Sequence, residues 1–170
     1  MELAREVDRL ELVLSQLAEV ERERDALLAR AADADPCAVP AMLVRLQGIG
    51  PEFASLLWLE ALFRRFNNRR QGAAYAGLAP SPWQSGGVDR EQGITKAGTP
   101  RLRHTRVELA WFWTRHQPGS VLSRWFVQRV GQGRGRVRRI AIVALARKLL
   151  VALWRYVTQG TVPEGAVLKA

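Results

Sequence analysis

The sequence contains little of what a secreted, membrane-spanning or metal-centred protein needs. Its single cysteine, Cys37, excludes an internal disulfide framework and cannot by itself make a cysteine-based zinc site. No run reaches the ~18 uncharged apolar residues of a membrane span. The N-terminus "MELAREVDRLEL" alternates charge with apolar residues and has no signal-peptide core. Acidic residues are scarce in most of the chain. Residues 41–170 hold six Asp and Glu against 21 Lys and Arg, a net +15, whereas residues 1–40 hold ten against five, a net −5. Six acids give little material for a two-metal nuclease centre. A Gly-x-Ser-x-Gly elbow is missing, and His104 and His116 have no evident carboxylate partner in the sequence, which counts against a hydrolase. The chain is therefore expected to be soluble and cytoplasmic, with no membrane partner. An acidic, protein-facing arm would precede a basic, polyanion-facing body.

The arm reads as one helix over residues 2–31. Leu3, Val7, Leu10, Leu14 and Leu17 recur at alternating steps of four and three, the seam of a coiled coil. That stripe calls for a partner, either a second copy or a helix of the same chain. "DADPCAVP" ends the helix, and "AMLVRLQGIGPEFASLLWLEALFRRF" then reads as helix, Gly-Ile-Gly turn and second helix. Pro51 sits where its missing N–H costs nothing. Another helix is expected at 68–75. Further helices are expected from Pro100 to about His116, from Ser120 to Val130, and from Arg136 to about Val157. The last should bury Ile140, Val143, Ala144, Ala146, Leu150, Leu153 and Trp154. The fold class is all-α: a helix-hairpin-helix-containing helical domain with one long loop, plus the N-terminal coiled-coil helix. The expected division is 1–35 arm, 36–160 body (helix-hairpin-helix 42–63, loop 77–99, helical bundle 100–157) and 161–170 flexible tail.

Three features could carry chemistry. Gly48, Ile49 and Gly50 form a turn between helices whose N–H groups suit a phosphate oxygen, although Gly-x-Gly also makes plain helical hairpins. A basic array, Arg64, Arg65, Arg69, Arg70, Arg90, Lys96, Arg101, Arg103 and Arg106, offers guanidinium groups that match phosphate bidentately. Arg134, Arg136, Arg138 and Arg139 open the last helix and could track a second strand. In the long loop, Ser85 precedes Gly86-Gly87. A serine hydroxyl needs a base or a stabilised oxyanion before it becomes a nucleophile. On chemistry alone a Ser-Gly-Gly is first a flexible turn.

The series "LQGIGPEFASLLWLE", "FNNRRQGAAYAGLAPSPWQSGG" and "GITKAGTPRLRHTRVELAW" resembles, as a combination, the C-terminal domain of the IS one-ten group of bacterial insertion-sequence transposases, with its one-sixteen, nine-oh-two and eleven-eleven types. The resemblance implies that Ser85 is a nucleophile that joins transiently to DNA. It also implies that the basic residues named above bind DNA and a structured guide RNA. In that family the domain works with an RNase H-like nuclease half bearing four metal-binding acids, reached through a coiled coil. Mg²⁺ is expected only with that half and no cofactor in this chain. The acids of residues 1–40 lie on a heptad helix, unlike such a centre. Expected partners are therefore DNA, guide RNA, a second copy through residues 2–31 and a separate nuclease half, without which the chain would not complete transposition. The alternatives are a non-catalytic nucleic-acid-binding module and a dimerising adaptor.

Overall fold

The computed structural model describes residues 2–35, 38–62, 80–85, 88–94 and 100–169. Its order is α1 (Glu2–Ala34), α2 (Val39–Val44), α3 (Pro51–Leu57) running on into a π-helical turn (Trp58–Leu62), β1 (Pro80–Ser85), β2 (Val88–Ile94), α4 (Pro100–His116), α5 (Val121–Val130) and α6 (Arg136–Gln159). The expected all-α class holds for the bulk of the chain. The expected helix at 68–75 lies outside the described residues.

Local chemistry fixes most helix ends. Pro51 opens α3 behind Gly50, whose extended backbone makes it the cap, and Pro's fixed φ suits a first helical position. Ser120 caps α5, its hydroxyl accepting from the Ser123 N–H at 3.1 Å. It also accepts the Trp113 indole N–H at 2.9 Å, so one buried hydroxyl ties the start of α5 to the core of α4. Gly160 ends α6 in the left-handed region at φ 70°, the conformation glycine adopts without penalty.

α6 is the axis of the body. Ile142, Leu145, Ala146, Leu149, Leu150, Leu153 and Tyr156 are buried along it. The lower part packs with Ala110 and Phe126. The upper part joins Leu43, Leu46, Ile49, Leu57, Leu109 and Trp113 in the main core. Of the expected face, Ala146, Leu150 and Leu153 are buried, whereas Ile140 is 58% exposed, and Val143, Ala144 and Trp154 are half-buried. The helix is apolar over more than half its circumference, so periodicity alone did not distinguish the stripe that α4 and α5 cover from its neighbour.

The arm buries none of its residues fully. Arg24, Leu28, Ala31 and Ala32 are half-buried near its C-terminal end, where it meets α2 and α3. Leu3, Val7, Leu10, Leu14 and Leu17 are all about half exposed or more. No helix in the described residues is long and apolar enough to cross a membrane.

The expected flexible tail is also corrected. Leu168 forms an antiparallel bridge with Leu46. The Val121 N–H donates to Glu164 O at 3.0 Å, Gln47 N–H to Val167 O at 3.1 Å and Lys169 N–H to Arg45 O at 2.7 Å. Gln117, 1% exposed, closes this strap: its amide NH₂ donates to Gln47 O and Val167 O at 2.9 and 2.8 Å, and its Oε1 accepts from Val167 N–H at 2.8 Å.

Candidate nucleic-acid interface

The passage expected as a loop is a two-stranded antiparallel hairpin. Its register pairs Ser85 with Val88, Gln84 with Asp89, Trp83 with Arg90 and Ser81 with Gln92. Pro80 faces Ile94, which leaves Gly93 unopposed in a bulge, the residue type bulges favour. Ser85 is thus the last residue of β1. Residues directly opposite, and those two apart, share a face of a ribbon, so the register positions of Ser85 and Arg90 fall on the same face. Prolines at 80 and 82 are compatible with this strand because a two-stranded ribbon leaves alternate N–H groups unused.

The Gly48–Gly50 turn is tightly built. Gly48 has φ +87°, and a Cβ there would stand 2.8 Å from the His116 Cβ at the end of α4. Both the backbone and the neighbour therefore demand glycine. Ile49 is fully buried, and its N–H already donates to Leu46 O at 3.1 Å. This corrects its expected role as a phosphate donor: the Ile49 N–H is already used inside the turn, which the buried side chain anchors. We predict that Gly48→Ala destabilises the protein by roughly 2–4 kcal/mol through strain plus overpacking. Gly50→Ala, with φ −93° and open space around it, should cost about 0.5 kcal/mol as a changed cap. Denaturant midpoints of the two variants check the contrast.

The basic residues divide by burial. Arg64, Arg65, Arg69, Arg70 and Lys96 lie outside the described residues, and Arg90 is placed by its backbone only. Arg101 is exposed and Arg103 half-buried on α4. Arg106 is 2% exposed, which corrects its expected place on the surface. Burial, with Arg103 beside it, lowers its pKa to about 10, so it remains charged at neutral pH. Its position was legible: 106, 109, 110, 113 and 117 form one helical stripe, and the other members are core.

Arg134, Arg136, Arg138 and Arg139 are all exposed at the start of α6. No acidic residue lies in that helix's first turn, and no side chain caps it. Cations beside a helix N-terminus oppose its dipole, and the arrangement becomes favourable when an anion sits between them. The Arg138 guanidinium lies 4.8 Å over the Trp111 ring, a contact without a spacing signal in the sequence. An open cleft of about 850 Å³ runs beside it, lined by residues including Val130, Gln132, Arg134 and Arg138.

His104 Nε2 stands 3.4 Å from Glu108 Oε1 on the exposed side of α4, a carboxylate partner that the sequence reading missed although the spacing of four permits it. His116 stacks on Phe112 at 5.9 Å. Among the described residues, no three His, Cys, Asp or Glu side chains converge to hold a metal ion.

The sequence model of the Transposase IS116/IS110/IS902 family matches residues 41–123. That span holds the glycine turn, the hairpin and α4. A Sinorhizobium fredii protein named "Putative transposase y4rJ" is 60% identical over 176 residues, covering 99% of this chain and 44% of the relative. The "Transposase for insertion sequence element IS1328" of Yersinia enterocolitica is 32% identical over 151 residues, covering 86% of this chain and 42% of that protein. The chain spans less than half the length of both relatives.

Proposed function

Since the chain belongs to the IS116/IS110/IS902 transposase family, we propose that it is the DNA-handling part of an insertion-sequence transposase, with Ser85 as the nucleophile of strand exchange. The family match over residues 41–123 carries this reading, because it takes in the turn, the hairpin and α4 together.

In the proposed step the Ser85 Oγ–phosphorus bond forms as one phosphorus–deoxyribose oxygen bond breaks. The serine proton ends on the released hydroxyl. A hydroxyl from another strand then reverses the attack, so the number of phosphodiesters is conserved. Serine at the end of β1, directly before two glycines, can be approached closely by a backbone. Arg90, at a register position of the same face, is suited to balance charge on the non-bridging oxygens. Arg101 and Arg103 would hold the flanking phosphates, as would Arg64, Arg65, Arg69, Arg70 and Lys96. Arg134, Arg136, Arg138 and Arg139 would hold a second strand or a structured guide RNA. Mg²⁺ would belong to the acid-bearing nuclease half that this domain works with, and it would supply charge neutralisation at the scissile phosphate. The exposed seam of α1 supports pairing with a second copy as a coiled coil.

Binding to duplex DNA and to structured RNA, measured against salt, tests the reading. The observed binding constant should fall steeply, with a log–log slope of about −0.9 for each phosphate neutralised on duplex. Affinity that does not change between low and physiological salt would overturn the polyanion-binding reading and favour a protein–protein adaptor.

A further inference from the structure

Among the described residues, side chains distant in sequence also meet beside the glycine turn, Arg24 and Lys169 among them. An open cleft of about 430 Å³ is lined by Arg24 of α1, by Gly48, Ile49 and Gly50, by His116 at the end of α4 and by Lys169 of the C-terminal strap. Glu52 is its acidic member. Residues 24, 116 and 169 meet there because the strap and the arm both close on the glycine turn.

Lys169 is held at two points. Its N–H donates to Arg45 O, and its Nζ donates to Ile49 O, both at 2.7 Å. Burial lowers its pKa, and a partly desolvated ammonium placed on a neutral carbonyl keeps its charge uncompensated. The carbonyl it grips belongs to the Ile49–Gly50 peptide. All peptide bonds among the described residues are trans, and in a trans peptide the C=O and the following N–H point in opposite directions. Fixing Ile49 O therefore also fixes the Gly50 N–H, which has no acceptor among the described residues. Arg24 lies at the rim, where Nη2 reaches Asp25 Oδ1 at 2.8 Å. It is half-buried, and its Nε donates to the same Asp25 oxygen at 2.8 Å, so the pair holds the guanidinium in place and Nη1 is the group left for a phosphate oxygen.

We propose that this cleft is a phosphodiester-binding site of the domain, in which Lys169 orients the Ile49–Gly50 peptide and, with Arg24, supplies the positive charge. The proposal deepens the nucleic-acid reading of the glycine turn and rests on it. It adds two residues that the sequence motif does not contain, one from the arm and one from the strap. It also makes the turn's grip on a backbone depend on a segment about 120 residues away.

The test uses the full chain and a fluorescent duplex of mixed sequence, titrated over a range of salt. Lys169→Met should weaken binding at low salt by roughly fivefold to tenfold and make the salt slope shallower by about one phosphate contact. Lys169→Arg should restore most of the slope. Arg24→Gln, on a surface helix whose folding does not involve the strap, should also lose about one contact. In ¹⁵N–¹H spectra the Gly50 amide should shift when the wild type is titrated with inorganic phosphate, and this shift should be lost in Lys169→Met. If Lys169→Met lowers the melting temperature sharply, Arg24→Gln and the Gly50 amide of the wild type decide the matter. Wild-type salt slopes in both Lys169→Met and Arg24→Gln would overturn the proposal while leaving the nucleic-acid reading in place. A wild type that shows no salt-dependent binding would instead remove the reading itself.

Discussion

Ser85→Ala, assayed with an acid-bearing nuclease partner and its DNA, should leave no trappable protein–DNA adduct and reduce strand exchange to background. The covalent step has one oxygen at its centre, and alanine offers no atom to replace it. Two controls separate chemistry from folding. The variant should bind duplex DNA with wild-type affinity and salt slope, because phosphate contacts are made by cations. Its thermal midpoint, measured alongside, should match that of the wild type, so that lost exchange reports the missing hydroxyl rather than lost folding. Ser85→Cys offers a further probe, because a thiolate can attack phosphorus but changes the pH at which the nucleophile is available. Normal exchange by Ser85→Ala would remove the serine from the mechanism and leave a nucleic-acid-binding module.

The largest stability effect should come from Trp113→Ala. Trp113 is completely buried between α4 and the main core. Removing its side chain loses the transfer energy of a large aromatic and leaves a cavity, together about 3–5 kcal/mol. Its indole N–H is also lost to the Ser120 hydroxyl. That hydroxyl caps α5, so damage to the core extends to the start of the next helix. Against a typical total of about 5–15 kcal/mol, such a loss leaves a small domain marginal. Trp113→Phe keeps most of the apolar contact and gives up the hydrogen bond, and should cost roughly 1–2 kcal/mol. Urea midpoints at unchanged m-value measure both. A loss below about 1.5 kcal/mol for the alanine variant would mean that the core does not depend on this residue.

The sequence showed most of what depends on neighbours in the chain. Pro51, Pro100 and Ser120 mark helix starts through local sterics and local hydrogen bonds, and those helices begin at or beside the expected positions. It showed less of what depends on distant contacts. Which flank of α6 is covered depends on where α4 and α5 lie, and several flanks of that helix are apolar enough to serve. In the sequence the strap looks like a tail, because its hold comes from backbone groups and from Gln117, none of which produces a periodic pattern. Two other signals are present in the sequence. Gly-Gly between two short extended segments is a hairpin signature, obscured here by the prolines and polar residues of β1. Arg106 shares a stripe with Leu109 and Trp113, which marked it as interior despite its charge. For the site, the glycine turn and the serine were visible as motifs, whereas the meeting of Arg24, His116 and Lys169 arises only from the fold.

The strap also has a consequence for the order in which the protein can be made. The turn at residues 45–50 is synthesised early, yet the bonds that close it come from residues 167 and 169. Until synthesis has reached that segment, Gln47 and Arg45 lack their backbone partners and Gln117 has two of its three hydrogen bonds unmade. Pairings so distant in sequence close a large loop, and that slows folding. The helices of the body can form as they emerge, but the glycine turn takes its final shape among the last events. A nascent domain therefore passes through a stage with its core helices in place and its glycine turn not yet set.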